Sequence, residues 1–116
     1  MTDLSSFAAA WIADWNAHDV EKILSHYAED VVFHSPKIAL RTKGEKTFFT
    51  SREELRPYFS FAFHIRPHLR FTLLNFCQDR QGLALIYQDE TGATATELMD
   101  LNQLGQVVFA RVLYDR

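Results

Sequence analysis

At 116 residues the chain has the length of one domain, and residues 1–116 read as a single unit with no internal repeat or linker. A 47% hydrophobic share, with only four glycines and three prolines, excludes a disordered or collagen-like chain. The net charge of -3, with lysines and arginines scattered, gives no nucleic-acid footprint, and the single cysteine, Cys77, excludes an internal disulfide and a Cys-rich zinc motif. No apolar run reaches membrane length, and Met-Thr-Asp-Leu-Ser-Ser lacks the basic and apolar regions of a secretory signal. A cytoplasmic protein with neither membrane nor nucleic-acid partner is the expectation.

In chain order, the spacing predicts a first helix over Leu4 to Asn16, capped by Thr2 or Asp3, with Phe7, Trp11 and Trp15 on one stripe. Asn16-Ala-His-Asp19 breaks the period, and Asp19 caps a second helix over Val20 to Ala28 carrying Val20, Ile23, Leu24 and Tyr27 on one side. Glu29-Asp30 ends it. Val31 to Ser35 follows as a β-rich strand stopped by Pro36. Lys37 to Thr50 reads as a basic loop with a turn at Gly44 and a short strand at Phe48-Phe49. Ser51-Arg-Glu-Glu54 is a capping box for a third helix through Leu55, Tyr58 and Phe59, which either begins close to Pro57 or bends there. The period then changes to two. Strands are expected at His68–Cys77, Leu83–Asp89, Ala93–Leu101 and Gln106–Tyr114, with turns at Gln78–Gly82, Glu90–Gly92 and Asn102–Gly105. Helices followed by an antiparallel meander make an α+β fold.

The run Trp11 to Pro36, an aromatic helix, an Asn-x-His-Asp turn and then Tyr27-Ala-Glu-Asp with Pro36 six residues on, resembles the opening of the nuclear transport factor 2-like superfamily, and within it the SnoaL-like group. The resemblance implies a cone-shaped α+β barrel: three N-terminal helices packed on a strongly curved, mainly antiparallel sheet that encloses a pocket. It also implies a homodimer formed through the sheet face. Alternation puts Leu98, Val107, Phe109 and Leu113 on that outward face.

On the strand Ala93–Leu101, the residues Ala95, Glu97, Met99 and Leu101 share a face that is apolar except for Glu97. A carboxyl in such company has a raised pKa and can serve as general acid, general base or hydrogen-bond donor. The alternative is a structural Glu97 paired with Arg70 or Arg111. By resemblance to ketosteroid isomerases, Glu97 falls at their oxyanion-hole carboxyl, Ser35 at their aspartate base and Trp11 at their oxyanion-hole tyrosine. Serine and indole cannot fill the last two roles, which argues against steroid isomerisation by that mechanism. The Asp-Arg-Asp relay of limonene-epoxide hydrolases cannot be assembled, because Arg111 alternates away from Val108, Ala110, Val112 and Tyr114. No His/Asp pair of the polyketide-cyclase type can be assigned, although His64 or His68 could supply half of one.

His18, His26 and His34 read as solvated. His64 and His68 lie four apart, but Pro67 between them argues against a helical metal site and no third ligand is evident, so no metal and no cofactor are expected. Phe33, Tyr58, Tyr87 and Tyr114, with Trp11, Trp15 and Met99, are the candidate lining of a small-molecule pocket. Trp11 is expected deeper, and Trp15 at the wall near the mouth. The reading is a pocket protein for a small apolar molecule, an isomerase, cyclase or hydratase of a carbonyl compound, with Glu97 and Ser35 as catalytic candidates. The alternative is a non-catalytic binding or protein-interaction module.

Overall fold

Alanines and tryptophans at helical spacing begin the fold. In the computed structural model, which describes residues 2–115, α1 spans Ser5–Asn16. Ala8, Trp11 and Trp15 recur on its buried face, and Trp11 is fully enclosed. Truncating a ring so placed costs about 3–5 kcal/mol. Leu4 occupies the cap position instead of Thr2 or Asp3 and offers no side-chain bond; Asp3 contributes nearby, its carboxylate accepting from the Ser5 N–H at 2.9 Å.

The Asn16-Ala-His-Asp19 turn is a staple. His18 adopts φ 54°, which lets the chain reverse. The Asn16 amide accepts from the Phe71 N–H at 2.7 Å and donates to the Phe71 carbonyl at 2.9 Å. His18 Nε2 lies 2.8 Å from the Leu69 carbonyl, and its ring stacks on Phe63. Asp19 caps α2, Val20–Leu24, by accepting from the Lys22 N–H. The three histidines expected in solvent are therefore engaged: His18 as described, His26 against Asp14 at 2.7 Å, and His34 stacked on Phe48 and tilted against Phe109.

Helix α2 ends four residues earlier than the periodicity predicts. Tyr27 and Ala28 open β1, Tyr27–His34, in which Tyr27 pairs with Val107. Sheet pairing overrides the helical pattern, yet Ile23, Leu24 and Tyr27 are all still buried. The segment after Pro36 is also corrected. It is not a loop throughout but holds α3, Pro36–Arg41, with Ser35 accepting from the Lys37 N–H and Pro36 at the first helical position. The short strand β2 is Phe48–Phe49, as expected.

Helix α4 runs Arg52–Ile65 straight through Pro57. Ser51 caps it by accepting from the Glu54 N–H at 3.2 Å, while Glu54 accepts from Thr50 rather than completing the box on Ser51. Pro57 is exposed, and Leu55, Phe59 and Ala62 form the buried face. The described residues thus hold four helices rather than three.

The remaining strands are β3 Thr72–Gln78, β4 Gly82–Gln88, β5 Thr94–Leu101 and β6 Val107–Tyr114. Strand β3 starts four residues later than expected, and residues 68–71 approach it as irregular chain. Gly82 opens β4 rather than closing the turn; a Cβ there would run into the Met99 carbonyl, so only glycine permits this approach to β5. The sheet order is β2-β1-β6-β5-β4-β3, antiparallel except for the parallel β1–β6 pair, and it curves without closing. Register shifts in β1 against β6 and at Asp100/Leu101 break the alternation near Val107, which is fully buried and not outward as its position predicts. One core joins α1, α4 and the concave face of the sheet.

Candidate active site

Strand β5 sets the site. Ala95, Glu97 and Met99 are buried on its concave face, with Leu98 exposed on the other. Glu97 sits in mid-sheet between Leu85 of β4 and Val112 of β6, so hydrocarbon flanks it on both sides. It is 4% exposed. Neither Arg70 nor Arg111 reaches it: both are exposed, and among the described residues no ion pair involves Glu97.

Its partners are phenols. Tyr87 donates to Glu97 Oε1 at 3.1 Å, and Tyr27 donates to Oε2 at 3.4 Å. Trp11 Nε1 in turn donates to the Tyr27 hydroxyl at 3.1 Å. Burial pushes the Glu97 carboxyl up to about 7, against the opposing pull of the two phenol hydrogen bonds. Tyr27 and Tyr87 are raised well above the ordinary tyrosine range, first by burial and then by the facing carboxylate. Near neutral pH the carboxyl is therefore divided between its acid and base forms, and both phenols stay protonated.

A narrow cavity of about 50 Å³ runs along this group. Trp15, Phe33, Tyr58, Tyr87, Glu97 and Tyr114 line it, six of the nine side chains that the sequence proposes for the site. Three others stand elsewhere. Trp11 lies behind the wall, bonded to Tyr27 and stacked on Phe71, and Met99 is core. Ser35 is buried, but its hydroxyl caps α3 and receives the Tyr58 hydroxyl at 3.5 Å, and it does not line the cavity. Trp15 Nε1 is buried and has no hydrogen-bond partner among the described residues.

Sequence reasoning misses Tyr27, which helical periodicity places on α2, and the cations Lys37, Arg41 and Arg66 on the cavity wall. The Ser35-Pro36 pair, a cap followed by a proline suited to the first helical position, is the signal that would have put Lys37 and Arg41 on one short helix. The space is smaller than the roughly 300 Å³ of a drug-sized site and takes only a few heavy atoms. An adjoining void of about 30 Å³ shares Lys37, Arg66, Phe71, Tyr87 and Tyr114. A larger hollow of about 420 Å³, lined in part by Ser35, shares Val112 and Tyr114 with the cavity, and hollows of about 340 and 570 Å³ lie elsewhere; none of the three includes a buried carboxyl. No group of three or more His, Cys, Asp or Glu among the described residues could hold a metal ion.

Comparison with known proteins places the chain. A SnoaL-like protein of unknown function from Burkholderia thailandensis E264 shares 29% identity and superposes with a TM-score of 0.92 over 100% of this chain and 99% of that one. A SnoaL-like isomerase candidate from Agrobacterium tumefaciens C58, at 18% identity and TM-score 0.77, covers 100% of each chain. Wild-type IdmH, a polyketide cyclase candidate from Streptomyces antibioticus, is 19% identical with a TM-score of 0.79 over 98% of this chain and 93% of its own; these two share the fold. No functionally curated protein matches. The SnoaL-like domain model matches residues 8–102, and the chain belongs to the SnoaL-like domain family.

Proposed function

We propose that the protein is a proton-transfer enzyme acting on a small carbonyl compound, of the isomerase or cyclase kind, with Glu97 as the group that moves the proton. The observation that carries this is a buried carboxyl with no cation partner, held by two phenols on a cavity wall and poised near pH 7. As carboxylate, Glu97 takes a proton from the carbon beside the carbonyl and becomes the neutral acid. In an unsaturated ketone the carbonyl becomes a dienolate, and the same proton returns at the far carbon of that conjugated system, so the double bond shifts and Glu97 is a carboxylate again. The unpartnered Trp15 N–H is a donor for the enolate oxygen. Tyr58, Tyr114 and Phe33 hold the apolar body of the substrate. The narrow cavity admits the reacting fragment, with larger parts of the molecule left at the mouth. The names carried by the Agrobacterium and Streptomyces proteins agree with this chemistry.

Ser35 favours a second reading. Where ketosteroid isomerases hold their base, this chain has a helix cap, so the fold also suits a non-catalytic binding module. Incubation of a panel of small ketones and enones in D₂O, followed by mass spectrometry, separates the two. The enzyme reading predicts deuterium uptake beside the carbonyl with wild type and background uptake with Glu97→Gln. Binding without exchange supports the second reading. Equal exchange by both proteins overturns the role of Glu97.

A further inference from the structure

The cavity wall carries three cations as well as an acid, and they are not equivalent. Arg66, at the end of α4, is committed: its guanidinium meets Asp89 at 3.0 Å and Glu90 at 2.8 Å. Lys37 and Arg41, four apart on α3, meet no carboxylate within ion-pair distance among the described residues. Lys37 Nζ lies 4.5 Å from the centre of the Tyr114 ring. The Arg41 guanidinium lies 5.1 Å from the Tyr58 ring and donates to the Tyr58 carbonyl at 3.3 Å. Both rings line the cavity, so aromatic faces hold the two charges at its edge. Lys37 is half-buried; burial first, then the neighbouring Arg66 and Arg41, hold its amine below the usual lysine range, against the opposing pull of Asp89 and Glu90. An anion set between Lys37 and Arg41 would favour both charges. The buried Trp15 N–H, on a residue that lines the same cavity, is a further donor, with no acceptor among the described residues.

We infer that the substrate is an oxo acid: a small carbonyl compound whose carboxylate seats between Lys37 and Arg41 at the mouth, with its carbonyl end directed inward toward Trp15 and Glu97. This rests on the reading of the Glu97 cavity as the active site and names the substrate class it takes. The cavity is too narrow to enclose the whole molecule, so the charged end stays where water still reaches it and the cost of desolvating the anion is small. Lys37 and Arg41 are positioning residues, since they grip the end of the substrate remote from the proton in flight.

The test is binding rather than turnover. Calorimetry or chemical-shift titration would compare levulinate and 3-benzoylpropionate with their methyl esters, on wild type, Glu97→Gln, Lys37→Met, Arg41→Met and Lys37→Arg. The expected result is that the acids bind about tenfold or more tightly than the esters, on the scale of a charge-assisted contact, and less so as salt rises. That preference survives in Glu97→Gln and in Lys37→Arg and is lost in each Met variant, with circular dichroism showing that the Met variants fold. Esters binding as well as acids, or acids binding as well to both Met variants, overturns the inference. Because the Glu97→Gln protein reads the grip without any proton transfer, loss of the exchange activity and loss of the acid preference are separate results.

Discussion

An unpaired carboxyl in a dry wall is costly, and Glu97 bears that cost with only two phenols for compensation. The linkage sign follows from its raised pKa, about 7 folded against 4.5 unperturbed. Between those values the folded chain holds the proton and the unfolded chain has lost it. The stability contributed is complete below pH 4.5, declines as pH rises and is gone above about pH 7. The decline amounts to roughly 3 kcal/mol. Glu97→Gln should remove this component, so urea unfolding at pH 5 and pH 8 should show the variant gaining on wild type by about that amount, and matching or exceeding it at pH 8. Equal pH dependence in the two proteins would mean that the carboxyl is not protonated in the fold. The tryptophans divide as their positions require. Trp15 lines the cavity and Trp11 is sealed behind Tyr27, so a bound ketone should change tryptophan emission in wild type and barely in Trp15→Phe. Glu97 was legible in the sequence because it alone interrupts an apolar face. Tyr27 was not, because its burial satisfies a helical and a strand pattern equally well.

Strands β4, β5 and β6 lie within a residue or two of where period two puts them, since each has one buried face and a turn at its end. Helix α3 escapes periodicity because six residues give too few repeats, and its sequence reads as a basic loop. Its cap decides where the mouth cations stand. Ser35→Ala should cost about 1 kcal/mol of stability, as cap removal commonly does, and should weaken acid binding more than proton transfer on neutral ketones. If Ser35 were the base, exchange on neutral ketones would vanish while stability held, a result that would contradict its role as a cap. The turn at Asn16 to Asp19 also has a structural purpose: its side chains fasten α1 and α2 to the chain entering β3, and none of them lines the cavity. The early end of α2 could not be read locally, because its cause is the pairing of Tyr27 with Val107, eighty positions away.

At the scale of the molecule, the concave face of the sheet is filled by the core while the convex face leaves Phe48, Leu74, Leu98 and Leu113 more than a third exposed. An apolar sheet face of this kind fits a second copy, and we expect light scattering at micromolar concentration to give twice the 13.5 kDa chain mass. Leu98→Lys together with Leu113→Lys should return it to a monomer; a wild-type monomer would contradict the expectation. Val107 cannot contribute to such an interface, because the irregular pairing near it turns its side chain into the core. What the sheet and helices together accomplish is to hold one carboxyl away from water, bonded to two phenols and beside a narrow cavity. A carbon-13 titration of the Glu97 side-chain carboxyl, assigned by comparison with Glu97→Gln, measures that directly. A midpoint near 7 is expected. A midpoint at or below the ordinary glutamate value of 4.5 would show a carboxylate that stays charged in the fold, and Glu97 would lose its place as a proton carrier at neutral pH.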